Sequence, residues 1–239
     1  MAGQKYVVFG VSRGLGKAIA QMLCTGENIV YGISRSQPDC LDSYPQLRWI
    51  EVDLSKPIES SRQIGNIVGN SVIDALIYNV GIWEHKAFEE DYSFEQDAPE
   101  YIVDMINTNI TSCILSVQKL LGNIKQSTKG KIVLVGSTWG LENHNAKEVT
   151  FSATKFALRG IVHSLRENLR PYNIGVSILN LGYLATEYEG ESSEEVASMA
   201  HGSLIPIDDV LNAIQFILNS SSASCVKEID MPAMLDSNV

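Results

Sequence analysis

The chain has 239 residues, 45% of them hydrophobic, enough for one well-buried domain. A net charge of −10 argues against a nucleic-acid partner and requires any phosphate site to be a local cluster of cations. No apolar run approaches the roughly 20 residues of a membrane span, the first strand starts too early to leave room for a signal peptide, and Cys24, Cys40, Cys113 and Cys225 show neither C-x-x-C pairing nor metal spacing. The expectation is a cytoplasmic protein with reduced thiols and no metal.

Residues 6–9 are β-branched and aromatic, the composition of a strand buried on both faces. They run into Gly10-Val11-Ser12-Arg13-Gly14-Leu15-Gly16, and residues 17–23 then carry one apolar helical face. Strand, glycine turn and helix in that order make a phosphate cradle. Missing side chains let a pyrophosphate reach the backbone, and a helix N-terminus offers unpaired N–H groups and a positive dipole end. The same turn also occurs between strand and helix for structural reasons alone.

Residues 28–33 read as a second strand ending in Ser34-Arg35-Ser36. An acidic residue there would hold the ribose 2′-hydroxyl of NAD. Arg35 stands there instead, and Arg13 lies inside the glycine turn. Two guanidiniums suit a 2′-phosphate, which they bind bidentately; the plainer alternative for Arg35 is a solvated surface charge. Residues 47–52 form a third strand closed by Asp53-Leu54, where the Asp also suits a helix cap. Residues 58–70 show helical spacing at Ile58, Ile64, Ile67 and Val68, and residues 72–78 form a fourth strand followed by Asn79-Val80-Gly81.

From 84 to 100 the chain is acidic, with Phe88, Tyr92 and Phe94 interspersed and Trp83 just before it, a loop over the carboxyl edge of the sheet. A long helix over 101–121 follows, with Ile102, Ile106, Ile110, Cys113, Val117 and Leu120 on one face and Asn109 among its polar residues. Residues 131–135 form a fifth strand ending at Gly136-Ser137-Thr138, where α/β sheets bind ligands. Phe151-Ser152-Ala153-Thr154-Lys155 opens the next helix. A sixth strand, 174–180, leads to Gly182-Tyr183-Leu184-Ala185-Thr186, and the polar stretch 187–202 suits a mobile lid. Pro206 and Asp208 mark the start of a last helix, the Asp as its cap, and residues 226–231 make a seventh strand. The alternation predicts an α/β fold: one domain over 1–239, a doubly wound parallel sheet of about seven strands with helices on both faces.

The spacing of Gly10, Gly14 and Gly16, the Ser137-to-Lys155 interval and the Gly182-to-Thr186 turn together resemble the short-chain dehydrogenase/reductase family, single-domain Rossmann enzymes. The resemblance implies an NADP(H)-dependent oxidoreductase acting on a small carbonyl, alcohol or conjugated carbonyl. It implies cofactor contacts from Gly10, Ser12, Arg13, Gly14, Leu15, Gly16 and Arg35, from Asp53 and Leu54 at the adenine, and from Asn79 and Gly81 beside the cofactor. Lys155 would bind the nicotinamide ribose, and Gly182 and Thr186 the nicotinamide amide and phosphates. Ser137 would hydrogen-bond the substrate carbonyl, Asn109 would hold a relay water, and a tyrosine would donate the proton.

Phe151 occupies that tyrosine position. Tyr78 and Val80 also stand where the family has Asn and Ala, and Leu181 where it has Pro. Phenylalanine cannot exchange a proton, which leaves three readings: an engineered Tyr-to-Phe change, a natural variant drawing its proton from Thr138, Tyr183 or a water on Lys155, or a catalytically silent NADP(H)-binding regulatory or scaffold protein. The resemblance further implies a homodimer or homotetramer through the helices near 101–121 and 152–170.

Overall fold

The computed structural model describes residues 3–87, 89–142, 144–188 and 190–236, so Phe88 of the acidic stretch lies outside the described residues. Its strands are β1 Lys5–Phe9, β2 Ile29–Ser34, β3 Leu47–Glu51, β4 Ala75–Tyr78, β5 Lys131–Val135, β6 Gly175–Leu181 and β7 Glu228–Met231. They form one sheet in the order β3-β2-β1-β4-β5-β6-β7, and each pairing is parallel. Every residue of β4, β5 and β6 is buried, which is why these strands read as continuous apolar runs.

The helices are α1 Gly14–Leu23, α2 Pro57–Val68, α3 Pro99–Ile106, α4 Ser112–Ile124, α5 Val149–Leu169, α6 Ser193–Met199 and α7 Ile207–Asn219. One core joins the sheet to α2, α4 and α5, and a second joins its other face to α1 and α7. The doubly wound architecture expected from the sequence is therefore present. The chain changes direction across the sheet between β1 and β4, and the crevice at the carboxyl ends of such neighbours is where this class of sheet binds ligands.

Several local expectations need correction. Strand β4 starts at Ala75 because the Ile73 N–H goes to Asn123 O rather than to a strand. In α2, Ile58 and Ile67 face solvent while Ile64 and Val68 are buried. The predicted helix over 101–121 is α3 and α4 joined by a π-helical turn at Asn107–Thr111. Met105, Cys113, Val117 and Leu120 face the core, whereas Ile106 lies on the outer side with Val103 and Ile114. Two apolar stripes had merged into one in the sequence pattern.

Asp208 does not cap α7. Pro206 holds the cap position, and Asp208 and Asp209 sit in the first turn, where their charge complements the dipole. The polar stretch 187–202 contains α6, started by a reciprocal Ser192–Glu195 capping box. Among the described residues no cluster of metal-ligating side chains and no helix long and apolar enough to cross a membrane occurs, and the four cysteines are free.

Candidate active site

The glycine turn is built by steric necessity. Gly10 has φ +88°, a conformation that side chains disfavour, and a Cβ on Gly16 would lie 2.0 Å from Gly10 O. Helix α1 starts at Gly14, inside the turn and three residues before the apolar periodicity begins. The Leu15 side chain is buried in the core, so only its backbone faces the crevice. Arg13 is exposed at the helix N-cap and borders neither of the cavities described next.

A cavity of about 230 Å³ lies at the end of β2, lined by Gly10, Ser12, Arg35, Asp53, Leu54 and Val80 among others. Asp53 does not cap α2; its Oδ1 accepts from Ser55 N at 3.1 Å and Ser55 Oγ at 2.9 Å, closing a turn. A second cavity, of about 260 Å³, brings together Asn79, Gly81, Ser137, Lys155, Gly182 and Thr186, with Phe151 in its wall. Residues 79–81 stand between the two, at the switch point of the sheet. The pair suits the two ends of a dinucleotide, and the first cavity carries Arg35 together with the carboxylates Asp53 and Asp104.

Lys155 is 5% exposed and its Nζ donates to Val135 O at 3.2 Å, its one hydrogen bond among the described residues. Burial pushes this ammonium down to about 8, with the Cys113 thiol nearby acting slightly the other way. A Cβ on Gly81 would sit 3.1 Å from Lys155 Nζ, so the glycine keeps open the space in front of the charge. Ser137 Oγ accepts from Trp139 N at 3.2 Å, which leaves its hydroxyl proton for a guest oxygen.

Asn109 sits in the π-helical turn, a feature that often marks functional sites. Fully buried, it clamps Ile82 from both sides: Ile82 N donates to its Oδ1 at 2.8 Å, and its Nδ2 donates to Ile82 O at 2.8 Å. The same Nδ2 reaches Thr154 Oγ1 at 3.1 Å, which in turn donates to Phe151 O at 2.8 Å. Tyr78 OH donates to Thr108 O at 2.6 Å and so satisfies a carbonyl of the turn. The Asn109 side chain thus holds the wall of the cavity. Replacing it by Ala orphans both polar groups of Ile82 and is expected to cost about 2–5 kcal/mol of stability, read as a fall in the urea midpoint with an unchanged slope.

Phe151 is 6% exposed, its ring edge-on to Trp83 (centroids 5.9 Å, 73°) and to Trp139 (5.5 Å, 84°). Lys155 Nζ lies 5.2 Å from its centroid. The start of α5, which carries Phe151 and Lys155, is capped from a distant loop: Glu84 Oε1 accepts from Thr150 N at 2.9 Å and Phe151 N at 3.0 Å. Trp139, Thr154 and Glu84 were not foreseen as parts of the site. Thr154 stands one residue before Lys155, and Trp139 two after Ser137, but nothing local in the sequence marks Glu84 as a cap for a helix 66 residues away.

The family model described as short chain dehydrogenase matches residues 4–197. Bovine retinol dehydrogenase 8 is 29% identical over 196 residues, covering 82% of this chain and 55% of that protein, so the chain spans about half its length. The 3-oxoacyl-[acyl-carrier-protein] reductase FabG of Buchnera aphidicola is 28% identical over 198 residues, covering 80% of this chain and 78% of that one. Among solved structures, a short chain dehydrogenase from Escherichia coli complexed with NADPH aligns with TM-score 0.78 at 18% identity, over 96% of this chain and 97% of that one. A short chain dehydrogenase from Leptospira borgpetersenii with bound NAD+ aligns with TM-score 0.77 at 18% identity, over 97% and 92%. At these identities the structural likeness speaks for the fold, and the family match for descent: the chain belongs to the short-chain dehydrogenase family.

Proposed function

We propose that the protein is an NADP(H)-dependent oxidoreductase of cytoplasmic location that interconverts a small neutral carbonyl compound and its alcohol, with Phe151 in place of the phenol that would donate the proton. The observation that carries this reading is the convergence of Ser137, Lys155 and the Asn109-held wall on one cavity beside the glycine turn. When bound, the dinucleotide supplies or accepts hydride. The glycine turn, Gly182 and Thr186 hold its phosphates, Asp53 and Leu54 flank the adenine, Asn79 and Gly81 lie along it, and Lys155 binds its nicotinamide ribose. Ser137 donates its hydroxyl proton toward the substrate oxygen. Of the donors open to a chain without the tyrosine, Tyr183 is pushed up to about 12, chiefly by burial, and keeps its proton. Lys155, at about 8, is the group matched to neutral pH.

Arg35 lines the ribose-end cavity, and the end of β2, Ser34-Arg35-Ser36, carries no acid; although Asp53 and Asp104 line the same cavity, this favours NADP(H) over NAD(H). Arg35→Ala is expected to weaken NADPH binding about 10- to 100-fold, the loss of a charged hydrogen bond, while leaving NADH affinity within about twofold, as read by titration of cofactor fluorescence. The exposed apolar side chains Val103, Ile106 and Ile114, with Val149 and Phe156 on α5, support a homodimer across these helices.

The direct test pairs NADPH binding with NADPH oxidation against a carbonyl panel. Binding with turnover supports the oxidoreductase; failure to bind either cofactor overturns the reading. Binding without turnover, even after Phe151→Tyr, transfers support to the second reading, a silent NADP(H)-binding protein, which the apolar packing of Phe151 favours.

A further inference from the structure

Four aromatic rings stand in series along the second cavity. Trp83 meets Phe151 at 5.9 Å and 73°, Phe151 meets Trp139 at 5.5 Å and 84°, and Trp139 meets Tyr183 at 6.1 Å and 90°. The inner two form a floor, each 6% exposed, while the outer two stand at the rim, Trp83 50% exposed and Tyr183 37% exposed. All four line the same space as Ser137 and Lys155. Phe151 keeps the floor free of a polar group that a tyrosine would place there.

The Trp83 rim is held rigidly. Asn109 fixes Ile82 through both backbone groups, Tyr101 OH donates to Trp83 O at 2.9 Å, and the Glu84 carboxylate ties the following residue to the start of α5. An aromatic wall fixed in advance loses little freedom when a guest arrives. Large aromatic surface left half in water around a cavity is recovered when an apolar guest covers it. Among the described residues no carboxylate lines the cavity, whose charged lining residue is the cation Lys155, so nothing there calls for a cationic guest. Its volume of about 260 Å³ falls below the roughly 300–1,000 Å³ of pockets for drug-sized ligands, and the nicotinamide end of a bound dinucleotide would share it, so a guest beside the aromatic rings is limited to a single ring.

We propose that Trp83, Phe151, Trp139 and Tyr183 form an aromatic clamp that selects a flat, neutral aryl carbonyl compound, its ring held edge-to-face between the rim residues and its oxygen toward Ser137. This deepens the oxidoreductase reading by naming its substrate class, and it rests on that reading only for the chemistry, not for the binding.

The test uses two ketones of equal carbon number, planar acetophenone and saturated cyclohexyl methyl ketone. Each is titrated calorimetrically into the full chain, cofactor-free and again saturated with NADP+. Acetophenone is expected to bind at least about fivefold tighter. Trp83→Leu and Tyr183→Leu are each expected to weaken acetophenone by roughly 2- to 12-fold, the range for one aromatic pair, and to leave cyclohexyl methyl ketone within about twofold. Both replaced side chains are rim residues, and a circular dichroism melt checks the fold of each variant. Equal affinity for the two ketones, binding of neither, or an aryl preference unchanged in both variants overturns the clamp. Absence of NADP+ binding with the aryl preference intact would overturn the oxidoreductase reading and leave the clamp standing.

Discussion

Phe151→Tyr is expected to raise NADPH-dependent carbonyl reduction by roughly 10²–10⁴, equivalent to about 3–5 kcal/mol of barrier. The surroundings for a phenol are in place. Lys155 Nζ lies 5.2 Å from the ring centroid, and a cation at that range favours the phenolate and so lowers the phenol pKa. The helix start that aims the ring is fixed by Glu84, and Thr154 bonds the Phe151 carbonyl. Because the ring itself is unchanged, the gain should fall chiefly on kcat. A rise confined to KM, or no rise with a substrate that binds, would show that Phe151 is not where the proton is missing.

The second large effect concerns Lys155 and pH. Its ordinary value is 10.5 and burial lowers it to about 8. Below pH 8 the ammonium is charged in both folded and unfolded chains, and the folded state bears its full burial cost. Between 8 and 10.5 the folded chain releases the proton while the unfolded chain keeps it. The unfolded state then binds more protons, so stability rises with pH across this window. The rise amounts to roughly 3 kcal/mol, and near its top the tyrosines Tyr78 and Tyr183, both raised by burial, begin to act in the opposite sense. The cofactor-free Lys155→Met variant is therefore expected to exceed the parent by roughly 3 kcal/mol at pH 7 and to approach it by pH 9.5 to 10. Urea unfolding at both pH values measures the difference, and a gap independent of pH would refute the account. The same variant should lose NADPH affinity, because Lys155 is the group assigned to the ribose.

The reach of the sequence ends where contacts become distant. Gly10, Gly14 and Gly16 could be read because a turn and a helix start are local steric problems, and the Ser137 and Lys155 positions because each sits at a strand or helix end. The buried runs of β4 to β6 announced a parallel sheet for the same reason. The π-helical turn was hidden, since residues 102 to 120 still look periodic and only burial separates the stripe of Ile106 from that of Met105 and Cys113. Asn109 was located by resemblance, yet its partners Ile82 and Thr154 come from other elements. Glu84 looked like one more solvated acid of an acidic stretch, but it is 1% exposed and serves a helix far along the chain. Trp83 lies in a loop and Trp139 in the short 3-10 turn Thr138–Gly140, both placed by tertiary packing, so their convergence on Phe151 has no local signature.

The fastening of residues 82–84 has a consequence for traffic. Asn109, Tyr101 and the start of α5 hold that bank of the crevice at the backbone and carboxylate contacts described above, so moving it would break several hydrogen bonds together. Among the described residues, the opposite bank, from Tyr183 through α6, is joined to the rest by the bridge of Leu184 with Ile205, the ring contact of Tyr183 with Trp139, the buried side chains of Ala185 and Val196, and the exposed Ser193–Asp209 hydrogen bond. If a guest enters this crevice, the bank that carries Trp83 is therefore the one expected to stay still, and hydrogen exchange of residues 82–84 slower than that of residues 193–199 is the result that would check it.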